Sequence, residues 1–416
     1  MRSRTAIWLC GLAALAVAGA AYAATGGVNT QDFKQVERGR HLAIAGDCAG
    51  CHTLPGSSHD FAGGLPIETP FGMLLAPNIT PDAATGIGAW SDDEFVNALT
   101  KGTGRNGTHL YPAMPYTYYT KLSRDDVLAI RAYLKTVPAV HHAVKSNQLP
   151  FPFNVRASLT GWDALFLKAG AFKPVPDKSA EWNRGAYLVE GLAHCGMCHT
   201  PKNTLGGDKR HEALQGYALQ GWFAPNITND QRLGLGTWTA ADIAEYLKTG
   251  HNRFSAASGP MGDVITHSTS QMTDADLHAI AVYLKDRPAP KEENPPAKPD
   301  TATVTIGGKI YADECSACHG RDGKGTPGLF PALAGSPAVR QNDPTSLMRV
   351  VLRGARSAGT DRAPTAPAMP SFGWLLNDAQ VADLLTYVRN TWGNASTPVT
   401  ADDVRKSRRA LAKRRD

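Results

Sequence analysis

Three common features are missing from this chain, and each absence narrows its role. Beyond the first two dozen residues no apolar run is long enough to cross a bilayer. No glycine-rich dinucleotide fingerprint, phosphate loop or catalytic-triad signature occurs, so no substrate-oxidising active site is expected here. Strand-type alternation is sparse, while Gly numbers 41 and Pro 28, a composition of short helices joined by long ordered loops. A one-signed charge is missing too. The net charge is +6, but Arg2 and Arg4 hold two of these charges and the last sixteen residues a net four. The body is close to neutral, so the high pI reports a basic tail, and no nucleic-acid partner is expected.

Cysteine is scarce outside one pattern. Six of the seven cysteines fall in three copies of C-x-x-C-H: Cys48-Ala49-Gly50-Cys51-His52, Cys195-Gly196-Met197-Cys198-His199 and Cys315-Ser316-Ala317-Cys318-His319. Cys10 alone stands apart, near the N-terminus, so the body has no cysteine for a disulfide. C-x-x-C-H reads as a c-type haem attachment site. Two thiols one helical turn apart can form thioethers with two vinyl groups, and the adjacent histidine supplies an axial nitrogen to iron. Zinc would need four ligands, usually from two C-x-x-C pairs, and these copies stand alone. Three covalent haem c groups are expected, on Cys48, Cys51, Cys195, Cys198, Cys315 and Cys318, with His52, His199 and His319 on iron.

The motifs mark repeats. Pro77-Asn78-Ile79-Thr80 recurs as Pro225-Asn226-Ile227-Thr228, and Gly86-Ile87-Gly88-Ala89-Trp90 as Gly234-Leu235-Gly236-Thr237-Trp238. Cys48 to Cys195 is an offset of 147 and Trp90 to Trp238 one of 148. Each copy opens with a short helix carrying a glycine for close helix contact (Gly39, Gly185, Gly308). Each closes with an apolar-periodic helix starting at Ser123, Thr273 or Asn377. A further helix starts at Ser91, and its duplicate at Thr239. The expected architecture is all-α: three tandem cytochrome c-type domains at 30–172, 178–288 and 302–394. Residues 289–301 read as a Pro-rich, semi-rigid linker and 395–416 as a basic C-terminal tail.

A second axial ligand is expected for each iron, and a His/Met pair suits electron transfer. Met114 and Met261 each lie 66 residues after the first cysteine of their motif, and Met369 lies 54 after its own. All three are expected on loops, flanked by Pro or Gly just before the closing helix. Met73, Met272 and Met348 read as core filler. Trp90 and Trp238 read equally as haem-contacting or as packing residues. Asn78 and Asn226 read as propionate donors or as turn formers. Tyr111, Tyr116, Tyr118 and Tyr119 read as haem-pocket wall.

Residues 1–23 have a basic start, an apolar stretch and Ala21-Tyr22-Ala23, the pattern of a cleaved signal peptide. Export matches thioether attachment, which takes place outside the cytoplasm.

With the haem motifs, the P-N-I-T…G-I-G-x-W segment, Leu110-Tyr111-Pro112-Ala113-Met114-Pro115-Tyr116 and Phe151-Pro152-Phe153-Asn154-Val155-Arg156, nearly the whole body resembles a family. It is the three-haem cytochrome c subunit of membrane-bound periplasmic dehydrogenases acting on alcohols, sugars, sugar acids or aldehydes. The resemblance implies an electron-transfer subunit that takes electrons from a dehydrogenase catalytic subunit with a flavin or quinone cofactor. It would pass them to ubiquinone at the periplasmic side of the bacterial inner membrane, with peripheral contact near the C-terminus. Alternatives are a cytochrome for a molybdenum hydroxylase, a free periplasmic carrier feeding a terminal oxidase, or an enzyme with one open haem. The third domain is expected to be a terminal station of the relay.

Overall fold

The computed structural model describes residues 27–145, 147–291, 296 and 298–414. The expected signal peptide lies outside the described residues, as does part of the expected linker.

The first domain opens with α1 (Phe33–Ala45), runs into α2 (Cys48–His52), a hairpin of β1 (Pro66–Thr69) and β2 (Gly72–Leu75), and α3 (Asp92–Lys101), and closes with α4 (Arg124–Leu134). An extension then carries α5 (Leu159–Phe166). The second domain repeats the order: α6 (Ala180–Tyr187), α7 (Gly196–His199), β3 (Tyr217–Leu219) with β4 (Trp222–Ala224), α8 (Ala240–Thr249), α9 (Pro260–His267) and α10 (Asp274–Lys285). The third has α11 (Thr301–Glu314), α12 (Ser316–His319), α13 (Thr345–Arg353), a minimal pair of β5 (Ala355–Arg356) and β6 (Ala368–Met369), and α14 (Asp378–Asn390). The fold is helical, with three two-stranded hairpins among the described residues.

Sequence chemistry starts the helices where expected. Ser91, Thr239 and Asn377 form reciprocal capping boxes with Glu94, Asp242 and Gln380. Ser123 and Thr273 cap in one direction only, because the carboxylates three positions on are used elsewhere. Asp126 accepts from Arg38 at 2.6 Å and Asp276 from Arg184 at 2.7 Å, tying closing helix to opening helix in both duplicates.

Opening and closing helices cross at a glycine in each domain. A Cβ on Gly39 would stand 1.8 Å from the Ala129 carbonyl oxygen, and one on Gly185 2.0 Å from that of Ala279. In the third domain the crossing residue is Gly307, whose Cβ would stand 2.1 Å from the Asp383 oxygen, and not Gly308 as expected. Gly308 faces the Tyr387 ring one position round the helix. The second domain also holds a π-helical turn at Leu188–Leu192. Its extra residue explains why Gly185 precedes its motif by ten positions and Gly39 by nine.

The first two domains share one core. Leu42, Phe95, Val127 and Ile130 join Leu188, Leu192, Trp238 and Ile280 in a single buried cluster, while the third domain has its own around Tyr311, Leu352, Val381 and Leu385. The second and third domains meet through specific bonds. Phe223 N donates to Ser346 Oγ at 2.8 Å, Gln341 Nε2 to the Leu233 oxygen at 2.5 Å, and Ala358 N to the Ala257 oxygen at 3.1 Å.

Most of the expected basic tail is a docked helix, α15 (Ala401–Ala412). Thr400 and Asp403 form its capping box, and Val404 and Leu411, seven apart, are buried in the third core. Arg408 pairs with Asp378 at 2.9 Å and donates to the Gly373 and Leu376 carbonyls. Arg414 reaches Glu68 of the first domain at 2.5 Å. Arg408 and Arg414 are thus held against the protein, while Arg405, Lys406, Arg409 and Lys413 stay exposed.

Candidate haem-binding sites

Each C-x-x-C-H segment is a single short turn of helix. Cys48–His52 forms α2, while Cys195 and Cys315 sit just before α7 and α12. In every copy the two thiols and the imidazole come from that one turn. The thiols are unpaired, and burial pushes the Cys48, Cys195 and Cys315 thiols up to about 12. They are therefore neutral thiols with no partner cation to activate them. Among the described residues no three His, Cys, Asp or Glu side chains gather as a metal cluster. Each histidine is a lone nitrogen donor.

The histidines are oriented by backbone. His52 Nδ1 meets the Pro77 oxygen at 2.8 Å, His199 Nδ1 the Pro225 oxygen at 2.6 Å, and His319 Nδ1 the Pro331 oxygen at 3.0 Å. A carbonyl can only accept, so Nδ1 carries the proton and Nε2 is left with a lone pair for a metal. Burial lowers the pKa of all three rings, which keeps them neutral, as a metal ligand must be. Sequence reasoning singled out the P-N-I-T segments for their asparagines and missed this carbonyl. A main-chain acceptor leaves no side-chain signature, although the recurring Pro77 and Pro225 marked its place.

Asn78 and Asn226 are turn formers. Each buried side-chain oxygen accepts from the amide and hydroxyl of the threonine two positions on, Thr80 at 2.9 and 2.7 Å and Thr228 at 2.8 and 2.7 Å. Those turns hold the proline carbonyls against the histidines. Trp238 is buried and stacked on Phe254 at 5.3 Å, and its indole N–H is buried without a partner among the described residues. An orphaned buried donor of this kind suits an acidic group such as a haem propionate. The thiol pair, the oriented imidazole and this donor together fit haem c.

The three methionines are partly buried and reach their sites by different local structures. Met114 lies in a loop, its carbonyl accepting from Tyr116 N at 2.8 Å, and packs on the shared core. Met261, expected on a loop, is instead the second residue of α9. Gly259, at φ 57°, turns the chain, and Pro260 starts the helix. Met369 lies in β6 opposite Ala355 and packs on the third core. Met272 and Met348 are buried in the cores. The tyrosines around Met114 are anchors. Tyr111 Oη donates to the Phe153 oxygen at 3.0 Å, Tyr116 Oη to Asp163 at 2.7 Å and Tyr118 Oη to Asp208 of the second domain at 2.5 Å, and Tyr119 Oη to the Gly46 oxygen at 2.8 Å.

The first two sites adjoin. His194, just before the second motif, packs edge-on against Tyr119 at 5.5 Å and reaches the Gly46 oxygen at 3.3 Å. Asp47, at φ 48°, sits at the entrance to the first motif, and burial raises its carboxyl pKa to about 7. Helix α9 packs against α2 of the first motif.

Comparison with known proteins agrees with this geometry. The sequence profile of the cytochrome c family matches residues 36–138, 183–287 and 304–392. The gluconate 2-dehydrogenase cytochrome c subunit of Pantoea cypripedii is 42% identical over 90% of this chain and 89% of its own length. The cytochrome c subunit of the quinone alcohol dehydrogenase of Gluconacetobacter polyoxogenes is 40% identical over 91% of this chain and 85% of its own. A nicotinate dehydrogenase subunit of Pseudomonas putida is 40% identical over 88% of this chain, which spans 31% of that longer protein. The chain belongs to the cytochrome c family, among the cytochrome c subunits of dehydrogenases, and carries covalent haem c.

Proposed function

We propose that the chain holds three haems, one on each motif, and relays electrons from a dehydrogenase catalytic subunit to a membrane quinone. The iron supplies one-electron exchange, and the chain's own residues hold, orient and shield it. The observation that carries the reading is the threefold recurrence of one device: a thiol pair on one helical turn and a neighbouring imidazole whose Nδ1 is held by a proline carbonyl. Cys48, Cys51, Cys195, Cys198, Cys315 and Cys318 are the attachment residues. His52, His199 and His319 are the proximal ligands, and Met114, Met261 and Met369 the distal ones. No acid–base step is assigned to the chain, since the substrate is oxidised in the partner.

The packing supports the order first, second, third. The first two domains share a core, and the second and third are joined beside their methionine segments. The third domain is thus a terminal station. The proposed location is the periplasmic face of the inner membrane, after removal of residues 1–23. No described helix is long and apolar enough to cross a membrane, so contact with the bilayer is proposed as peripheral.

The test is purification through a tag on this chain from detergent-solubilised membranes, with haem counted per chain by mass. Three haems and a stoichiometric flavin- or quinone-cofactor subunit that reduces a soluble quinone analogue are expected. Fewer than three haems would refute the count. A lone soluble protein would refute the subunit reading. The nicotinate dehydrogenase relative favours a second reading, in which the co-purifying subunit is a dehydrogenase of that kind.

A further inference from the structure

The two duplicated domains protect their methionine segments in different ways. In the first, the chain's own extension lies over the Met114 loop. Tyr111 Oη donates to the Phe153 oxygen at 3.0 Å, the Arg156 guanidinium sits 4.5 Å over the Tyr111 ring and donates to the His109 oxygen at 2.6 Å, and Tyr116 Oη donates to Asp163 at 2.7 Å. The second domain has no such extension. Its closing helix leads directly into 286–300, and the described residues there make no hydrogen bond to the 250–261 loop.

The third domain covers that loop. Ser357 bridges Ser258 in antiparallel fashion, and Ala358 N donates to the Ala257 oxygen at 3.1 Å. Ala358, Ala257 and Ile265 form a small buried cluster of their own, and Met261 packs against it. The fit is close on both sides of Ala358. A Cβ on Gly250 would stand 2.8 Å from the Ala358 methyl, and one on Gly262 3.9 Å from it. A second contact converges from α13. Arg349 lies 4.6 Å over the Trp222 ring, and that ring fills the space beside Gly259, where a Cβ would be 2.4 Å from it. The turn that starts α9 is therefore backed by Trp222, and α9 itself by Ala358.

We infer that the third domain sets the distal coordination of the second haem, with Ala358 as the positioning residue that holds Met261 in place across the domain boundary. The inference rests on the proposed role of Met261 as iron ligand. It gives the domain junction a function beyond proximity: the second haem reaches its methionine-ligated state only when the third domain is seated. Docking of one relay station thus fixes the potential of the next, because loss or lengthening of a methionine–iron bond lowers the potential of that haem.

The test uses the full-length holoprotein with all three haems. The readouts are the methionine–iron absorption band of the oxidised protein and the three midpoint potentials from a redox titration. Met261→Ala is expected to remove one haem's share of the band and lower one potential. Ala358→Leu is expected to lower that same potential and leave the other two in place. Ala358→Gly only empties the contact, so it folds where the larger side chain does not. It is expected to lower the temperature at which that one haem loses its methionine band, while Ala358→Ser keeps wild-type behaviour. If Met261→Ala changes one haem while Ala358→Leu and Ala358→Gly change none, the inference is overturned and the ligand assignment stands. If Met261→Ala changes no haem, the ligand assignment fails, and the inference with it.

Discussion

The helix crossings make the sharpest prediction about stability. Alanine is ordinarily the better helix residue, gaining about 1 kcal/mol over glycine. At Gly39, Gly185 and Gly307 the new methyl would fall 1.8, 2.0 and 2.1 Å from a backbone carbonyl oxygen of the closing helix. A comfortable carbon–oxygen approach is about 3.3 Å, so the helices must part by more than about 1 Å. The obstacle is backbone and cannot rotate away. Overpacking of this kind costs about 1–3 kcal/mol, and here the upper end applies. After the propensity gain, a net loss of about 2 kcal/mol is expected for each alanine. In the first two domains, which share a core, that corresponds to roughly 4–8 °C in melting temperature. Gly161 is the internal control. It lies in α5, and a Cβ placed there would have nothing within 4 Å, so Gly161→Ala should stabilise by about 0.5–1 kcal/mol. Thermal unfolding of the four holoprotein variants, followed by circular dichroism, decides the matter. Alanines at 39, 185 and 307 that melt within about 1 °C of wild type would refute the reasoning that these glycines exist for close approach.

Burial holds the Asp47 carboxyl at about 7, above its usual 3.8, so the folded protein keeps a proton that the unfolded chain releases. Stability should therefore fall as pH rises from about 4 to 7. Asp47→Asn should remove that slope and gain up to about 4 kcal/mol at pH 8, measured by guanidinium unfolding at several pH values. Asp208 accepts from Tyr118 and from Lys202, both at 2.5 Å. Asp208→Ala strands the Tyr118 hydroxyl and leaves the Lys202 ammonium with the Gly196 oxygen alone, and denaturation should show a loss of about 2 kcal/mol. Val404→Asp puts an unpaired carboxylate into the third core where Val404 is fully buried, so α15 should detach and become sensitive to limited proteolysis, with the first two domains unchanged. Trp238→Phe keeps the ring stack but removes the orphaned indole N–H. The midpoint potential of one haem should shift, by about 1 kcal/mol of redox free energy, and a titration with unmoved potentials would make Trp238 a packing residue alone.

What the sequence made legible was chemistry carried by side chains in fixed order. The C-x-x-C-H segments, the Ser91, Thr239 and Asn377 caps, and the periodic closing helices all depend on local spacing, and local spacing survives folding. What it hid depended on backbone or on contacts between distant segments. The Pro77, Pro225 and Pro331 carbonyls have no residue type to announce them. Gly307 and Gly308 are adjacent, and only the crossing geometry tells which one meets Asp383. The π-helical turn at Leu188–Leu192 adds a single residue, which looks like an ordinary offset between duplicates. The C-terminal helix was hidden by its charge, although the Thr400–Asp403 box and the Val404–Leu411 spacing were there to be read. The contact of Ala358 with the Met261 segment joins residues almost a hundred positions apart, and no motif encodes it.

A relay needs neighbouring centres held at fixed separation, and the proposed one is assembled from two kinds of joint. Between the first and second sites the joint is a continuous core with buried polar links. Tyr119, His194 and the Gly46 carbonyl meet there. Such a joint cannot open without unfolding both domains. Between the second and third sites the joint is a set of discrete bonds and one small apolar cluster at the methionine segments, with the Arg414–Glu68 pair reaching from the C-terminal end to the first domain. The third domain keeps a separate core, so its departure would leave the shared core of the first two intact while uncovering Ala257, Ile265 and Met261 of the second. Rigidity thus falls toward the proposed terminal station. A separately folded terminal domain can meet a partner or a membrane acceptor, and on the inference above any movement at that joint is felt at Met261 of the second site.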